Sequence, residues 1–179
     1  MTNIFEGKLI RLRAEEPSDA AIFRNRDLEE TESIRSVYQI PFPQPRLDAP
    51  QPPKPYEGDS FPFVIETLSG DVVGGIHPHH CNPRWGTFMY GISIFPDHRQ
   101  KGYAHEAIWL VLRYYFDEKR YQKCSSEIYS FNEASIKLHE GLGFIFEGRQ
   151  RRMIYTNGEF HDMLFYGITI EEFQAKDQT

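Results

Sequence analysis

Apolar and polar residues alternate from Lys8 to Arg13, with Ile10 and Leu12 on one side and Leu9, Arg11 and Arg13 on the other. That period of two predicts a half-buried strand. Pro17-Ser18-Asp19 then opens a helix carrying Ala20, Ile22 and Phe23, since proline is tolerated in a first turn. A second helix is predicted over Leu28 to Tyr38. Phe61 to Thr67 and Val72 to Ile76 read as paired strands around a Leu68-Ser69-Gly70-Asp71 turn, and Gly86 to Phe95 as the next strand. The period then changes. Ala104, Ala107, Ile108, Val111, Leu112, Tyr115 and Phe116 recur at helical spacing, a stripe that belongs to core packing. Lys123 to Ser130 alternates again, and Asn132 caps a short helix bearing Ile136, Leu138 and Leu142 that Gly143 ends. A long hairpin from Phe144 to Ile168 turns on Thr156-Asn157-Gly158-Glu159, and Thr169-Ile170-Glu171-Glu172 is a capping box for a terminal helix. The order predicts one mixed α/β (α+β) domain over residues 1–179, with a central, mostly antiparallel sheet and flanking helices.

Two segments interrupt the periodicity. Seven of the twelve prolines lie between Pro41 and Pro55, a density that excludes both helix and ladder strand. This segment reads as a stiff surface connector or as one wall of an acceptor pocket. His77-Pro78-His79-His80-Cys81 has a metal-like composition, but proline should break the register and no carboxylate or second Cys pair supports a site. A polar hairpin loop is expected there, and no metal.

Composition narrows the setting. No window holds 18 uninterrupted apolar residues and the N-terminus lacks a basic-then-apolar leader, so neither a membrane nor export is expected and the cytoplasm is. Cys81 and Cys124 suggest no disulfide framework. The formal net charge of −6 argues against nucleic acid as a partner and suits a cationic amine.

The chemistry concentrates in Pro96-Asp97-His98-Arg99-Gln100-Lys101-Gly102-Tyr103-Ala104. A turn between a strand and a helix presents backbone N–H groups at a helix N-terminus, where aligned peptide dipoles favour anions. Arg99 and Lys101 add cations, and Gly102 admits close backbone approach. The spacing fits neither a P-loop nor a Rossmann dinucleotide turn. It does match R/Q-x-x-G-x-G/A, the acyl-CoA pyrophosphate signature of the GNAT superfamily, which this region resembles. Asn132-Glu133-Ala134-Ser135-Ile136-Lys137-Leu138-His139, continuing to Gly143-Phe144, is similar to that family's second signature, N-x-x-S-x-x-x-Y-x-x-x-G-F. Gly7-Lys8-Leu9-Ile10-Arg11-Leu12-Arg13 and the hairpin with Asn157-Gly158-Glu159-Phe160-His161-Asp162 resemble the branch of ribosomal-protein N-terminal and spermidine or diamine acetyltransferases.

The resemblance implies a V-shaped opening between two parallel strands, with acetyl-CoA wedged between Gly86–Phe95 and Lys123–Ser130. Ile92, Ser93 and Ile94 would hold the pantetheine arm as an added strand is held. The turn residues Arg99, Gln100, Lys101, Gly102, Tyr103 and Ala104 would cradle the pyrophosphate, and Asn132 and Ser135 would meet the arm. The implied reaction is direct acetyl transfer to a primary amine, either a small molecule or a peptide N-terminus, and a homodimer is left open. An alkylammonium titrating near 10.4 is neutral in only about one part in 2,500 at pH 7, so a positioned base, or a water chain leading to one, helps. Glu127, five residues before Asn132, is the candidate; its alternatives are an exposed strand carboxylate and an ion pair with Lys123 or Arg120. Relatives that put the base two residues before the strand glycine have no counterpart here, where Met89 stands. His139 occupies the position of the family's tyrosine acid, either as a substitute proton donor or as a structural replacement. A non-catalytic acyl-CoA-binding module and a transferase of longer acyl groups remain the competing readings.

Overall fold

Ile10 and Leu12 bury one side of the N-terminal strand β1 (Ile10–Arg13), which forms one edge of the sheet. This computed structural model describes residues 3–23, 58–156 and 158–177. Within them β1 is joined by β2 (Phe63–Thr67), β3 (Val72–Asn82), β4 (Thr87–Ile94), β5 (Lys123–Tyr129), β6 (Ile145–Thr156) and β7 (Glu159–Thr169). The seven strands run in the order β1-β2-β3-β4-β5-β7-β6. Every pairing is antiparallel except β4 with β5. The predicted helix over 28–38, the Pro-rich segment 41–55 and Asn157 lie outside the described residues; residues 19–23 are helical as expected.

Helix α1 (Tyr103–Arg113) buries Ala107, Ile108, Leu110, Val111 and Leu112. Its axis continues through a π-helical turn, Tyr114–Glu118, that buries Tyr115 and Phe116. Together these residues cover Phe88, Ile76 and Ile65 of the sheet, and removing that apolar surface from water is the main stabilising term. Helix α2 (Glu133–Leu142) follows β5, and α3 (Ile170–Asp177) closes the described chain. The capping box forms as predicted: Thr169 N–H donates to the Glu172 carboxylate at 2.8 Å, and Glu172 N–H to Thr169 Oγ1 at 3.4 Å.

The expected loop over 77–81 is instead strand. β3 runs eleven residues, through Asn82, and Pro78 sits within it opposite Tyr90. Ladder parity explains this. Phe95 N–H donates to Val73 C=O, so Phe95, Ser93, Gly91 and Met89 bond to β3, while the residues between them do not. Pro78 therefore turns its N-side toward β2, whose pairing with β3 has already ended at Phe63 opposite Ile76. No ladder bond is lost, and Ser60 Oγ donates to the Pro78 carbonyl at 2.9 Å. The two glycines of the same strand allow a close crossing: a Cβ on Gly74 would lie 2.1 Å from the Ser93 carbonyl oxygen.

A buried ionic group fixes the first helical turn. Arg13 grips Asp19 with two guanidinium nitrogens, at 2.7 and 2.8 Å, and its Nε donates to Glu66 at 2.9 Å, beside Arg11 on the same carboxylate. Arg13 holds the Asp19 carboxyl well below the usual range, and Asp19 in turn raises Arg13. Cys81 and Cys124 are free thiols, both pushed up by burial. Among the described residues no three His, Cys, Asp or Glu side chains are placed to hold a metal, and no helix is long and apolar enough to cross a membrane.

Candidate active site

β4 and β5 run side by side for three residues only: Thr87 opposite Lys123, Phe88 opposite Cys124, and Met89 opposite Ser125. Beyond that, β4 stays with β3 and β5 with β7, so the two strands separate. The parity that frees Pro78 also directs the backbone groups of Ile92 and Ile94, beyond the last β4–β5 pair, into the wedge. Among the described residues no strand pairs with this edge, which is what an extended, amide-bearing chain needs. The Ile94 carbonyl accepts from Arg99 Nε at 3.0 Å, which leaves Ile92 as the main anchor of the edge. Ser93 differs from its neighbours: its backbone belongs to the β3 ladder, opposite Gly75, and only its exposed side chain remains for a ligand.

A 3₁₀ turn, Pro96–His98, carries β4 into the signature turn. Gln100 (φ 61°) and Gly102 (φ 85°) both adopt the left-handed conformation, and Gly102 is the N-cap of α1. Successive N–H groups in such a turn form an anion-binding concavity, and the first N–H groups of α1 have no acceptor within the helix. Arg99, Gln100, Lys101 and Gly102 are exposed, whereas Tyr103 and Ala104 are half-buried. Lys101 Nζ donates to the Asp97 carbonyl at 2.9 Å, fixing its cation over the turn. Glu106, one turn into α1, accepts from three amides of the N-terminal strand: Lys8 at 2.7 Å, Leu9 at 2.8 Å and Ile10 at 2.9 Å. This clamp fixes where the helix starts. The turn thus fits a pyrophosphate, and the edge fits a pantetheine arm.

Tyr90 and Ser126 are the first residues past the last β4–β5 pair, and His139 of α2 reaches both. Its Nε2 lies 2.8 Å from Tyr90 Oη and 3.0 Å from Ser126 Oγ, with the Tyr90 and His139 rings nearly parallel. Its Nδ1 lies 2.7 Å from the Ser135 carbonyl, an acceptor only, so the proton is on Nδ1 and Nε2 accepts. Burial lowers the His139 pKa against the raising effect of the Ser135 carbonyl, and burial drives the Tyr90 phenol well above its ordinary value. The imidazole is therefore neutral at pH 7 and Tyr90 keeps its proton. Sequence reasoning reached His139 but not Tyr90 or Ser126; the alternation puts each on the buried side of its strand, one residue before Gly91 and one before Glu127, but does not bring them together.

Asn132 accepts from Ser135 N–H at 3.1 Å as the N-cap of α2, the capping expected of it. Ser135 Oγ lies 3.4 Å from His139 Nδ1. Glu127 is exposed on β5, beside Phe165 of β7, and no hydrogen bond or ion pair reaches it among the described residues. The pairing with Lys123 allowed for by the sequence does not form. Lys123 is bound to Glu147 of β6 instead, reached across the intervening β7, where Gly167 has no side chain to separate them.

The family model of the acetyltransferase (GNAT) domain matches residues 10–145. The SPbeta prophage-derived uncharacterized N-acetyltransferase YokL of Bacillus subtilis (strain 168) is 38% identical over 169 residues, 94% of each chain. The spermidine N(1)-acetyltransferase of Vibrio cholerae is 27% identical over 101 residues, 56% of this chain and 58% of that protein. The solved structure of a Vibrio cholerae spermidine N-acetyltransferase in complex with CoA and spermine superimposes with a TM-score of 0.75 at 21% identity, covering 94% of this chain and 99% of that one. At that identity the likeness establishes the fold.

Proposed function

The chain belongs to the GNAT acetyltransferase family, whose members use acetyl-CoA, and from that membership we propose direct transfer of the acetyl group to a primary amine, carried by a small molecule or a peptide N-terminus. The observation that carries the reading is the separation of β4 and β5 directly beside Tyr90, Ser126 and His139. Acetyl-CoA supplies the activated thioester; the chain's residues bind it, orient the amine and move protons. The Arg99–Ala104 turn holds the pyrophosphate, the edge at Ile92 and Ile94 holds the arm, and Asn132 and Ser135 meet it from the start of α2.

Two protons leave the nitrogen in this reaction, one before attack and one after, while one is delivered to the departing sulfur. Glu127, exposed on the same strand as Ser126 and without a partner among the described residues, takes a proton from the amine. On the thiol side the group Ser126–Tyr90–His139 donates. Because Nε2 of His139 is an acceptor, the proton comes from a hydroxyl that His139 orients and that a proton from solvent restores after CoA leaves, so the imidazole acts through its neighbours. The acetyl-CoA of the cytoplasm is the pool such an enzyme draws on.

The test is turnover. Acetyl-CoA is incubated with polyamines, diamines and peptides, and free thiol and acetylated product are followed by absorbance and mass spectrometry. Stoichiometric thiol and amide are expected for at least one amine class. Tight acetyl-CoA binding without amide from any acceptor would leave a non-catalytic acyl-CoA-binding module as the answer.

A further inference from the structure

The histidine-rich end of β3, where a loop was expected, borders the point at which β4 and β5 separate. His79 stands directly across from Met89, the last β4 residue paired with β5. Directly opposed residues of an antiparallel pair bring their Cβ atoms within about 5.5 Å and onto one face. That face is the one carrying Ser125 and Glu127, opposite to the buried side of Tyr90 and Ser126. Beside it lies a cavity of about 480 Å³ lined by His80, Trp85, Met89 and Ser125 among others. Trp85 is 67% exposed, unusual for so large an apolar ring, and presents a π surface suited to an alkylammonium.

His79 is coupled to His80. Their Nδ1 atoms are 2.6 Å apart, so one must donate and the other accept. With the proton on His79 Nδ1, its Nε2 lone pair is left as a base. His80 is exposed and sits at φ 50°, a backbone conformation rare outside glycine, which turns it back toward its neighbour.

We propose that the imidazole of His79, backed by His80, is a second proton acceptor for the incoming amine, and that the cavity bounded by His80, Trp85, Met89 and Ser125 is where that amine sits. The inference rests on the acetyl-transfer reading above. One proton of the nitrogen passes to His79 Nε2; the Nδ1 proton moves to His80, and exposed His80 releases it to solvent. The amine nitrogen keeps its lone pair for the thioester carbonyl, and Glu127, one step along the same face, takes the other proton. The groups facing His79 support a neutral ring. Partial burial, then His80 and His77 on its own strand, lower its pKa; β4 places Met89 opposite it, and Arg84 lies in the turn after β3. His77 is itself engaged with Ser60 Oγ at 3.4 Å, and Asp59 is committed to Lys119 and Tyr121.

The test uses His79→Gln and His79→Ala in the full chain, with the best amine found in the acceptor panel. Both variants should keep acetyl-CoA affinity and lose roughly 10- to 100-fold in kcat/KM for the amine near pH 7. Free imidazole should restore part of the lost rate to His79→Ala and none to Glu127→Gln. The acidic limb of the wild-type profile, where His79 gains a proton, should be absent from both His79 variants. Unchanged kcat/KM, a loss that imidazole does not restore, or a loss traced to acetyl-CoA binding overturns the assignment. If wild type acetylates no amine at all, the function and this inference fall together; if wild type turns over and His79→Ala matches it, only the inference falls.

Discussion

Replacing His139 with phenylalanine separates what the imidazole does for stability from what it does for chemistry. The substitution keeps a planar ring beside Tyr90 and Phe144 but removes the Nε2 acceptor shared by Tyr90 Oη and Ser126 Oγ. The two hydroxyls can still bond to each other, so one buried donor is left without an acceptor, at a cost of about 1–3 kcal/mol. That cost depends on pH in a definite direction. Burial lowers the His139 pKa below its ordinary 6.5, so below that value the unfolded chain binds a proton the native protein refuses. Wild type therefore loses stability as pH falls from 6.5 toward the depressed value, by at most about 1.4 kcal/mol per pH unit. His139→Phe lacks this term, so the gap between the two proteins should narrow on acidification. Urea denaturation followed by circular dichroism at pH 7.5, 6.5 and 5.5 measures it. For activity, kcat should drop about 10- to 100-fold, equivalent to about 1.4–2.7 kcal/mol of barrier, because a hydroxyl no longer oriented still faces a tolerable thiolate leaving group. His139→Tyr, which restores the residue usual in the family, should retain more. A stability gap constant with pH would refute the buried neutral imidazole, and unchanged kcat beside reduced stability would make it purely structural.

Further outcomes follow from other residues. Gly102→Val places a branched side chain at φ 85° and 3.2 Å from Leu9 Cδ1, so calorimetry should show acetyl-CoA binding collapse while the protein stays folded at a cost of about 1–3 kcal/mol. Binding that survives would move the pyrophosphate elsewhere. Glu127→Gln should lower kcat/KM by about 10²-fold near pH 7 and recover as pH rises and free amine accumulates; a flat deficit at every pH would make Glu127 an ordinary strand carboxylate. Asp19→Ala removes two charge-assisted hydrogen bonds from half-buried Arg13, which keeps Glu66, and should cost about 1.5–3 kcal/mol in chemical denaturation, whereas a loss under 1 kcal/mol would mean that water solvates Arg13 freely.

Local chemistry made much of the fold legible in advance. The Thr169–Glu172 box, the Asn132 cap and the alternation at Ile10 and Leu12 each act within a few residues, and each appears as expected. Pro78 was misleading because its effect on a strand depends on which neighbour its missing N–H would have faced, a property of pairing rather than of sequence distance. Lys123 likewise chose Glu147 on β6, a partner that only the sheet brings near. At the site, His139 was marked by its helical position, but Tyr90 and Ser126 acquire meaning only where β4 leaves β5. Two single residues in separate alternating strands carry no common spacing from which that meeting could be read.

The carboxylate of Glu106 sets an order of events in the making of the protein. The three amides it collects lie 96 to 98 positions earlier in the chain, so they leave the ribosome well before it does. Until α1 emerges, the N-terminal strand has β2 beside it but lacks this anchor, and the Arg99–Ala104 turn cannot be fixed before the strand is present. Contacts of such long sequence separation slow folding and tie distant segments into one cooperative transition. Loss of residues 8–10 from a nascent or clipped chain would therefore be felt first at the turn that opens α1, at the far end of that span.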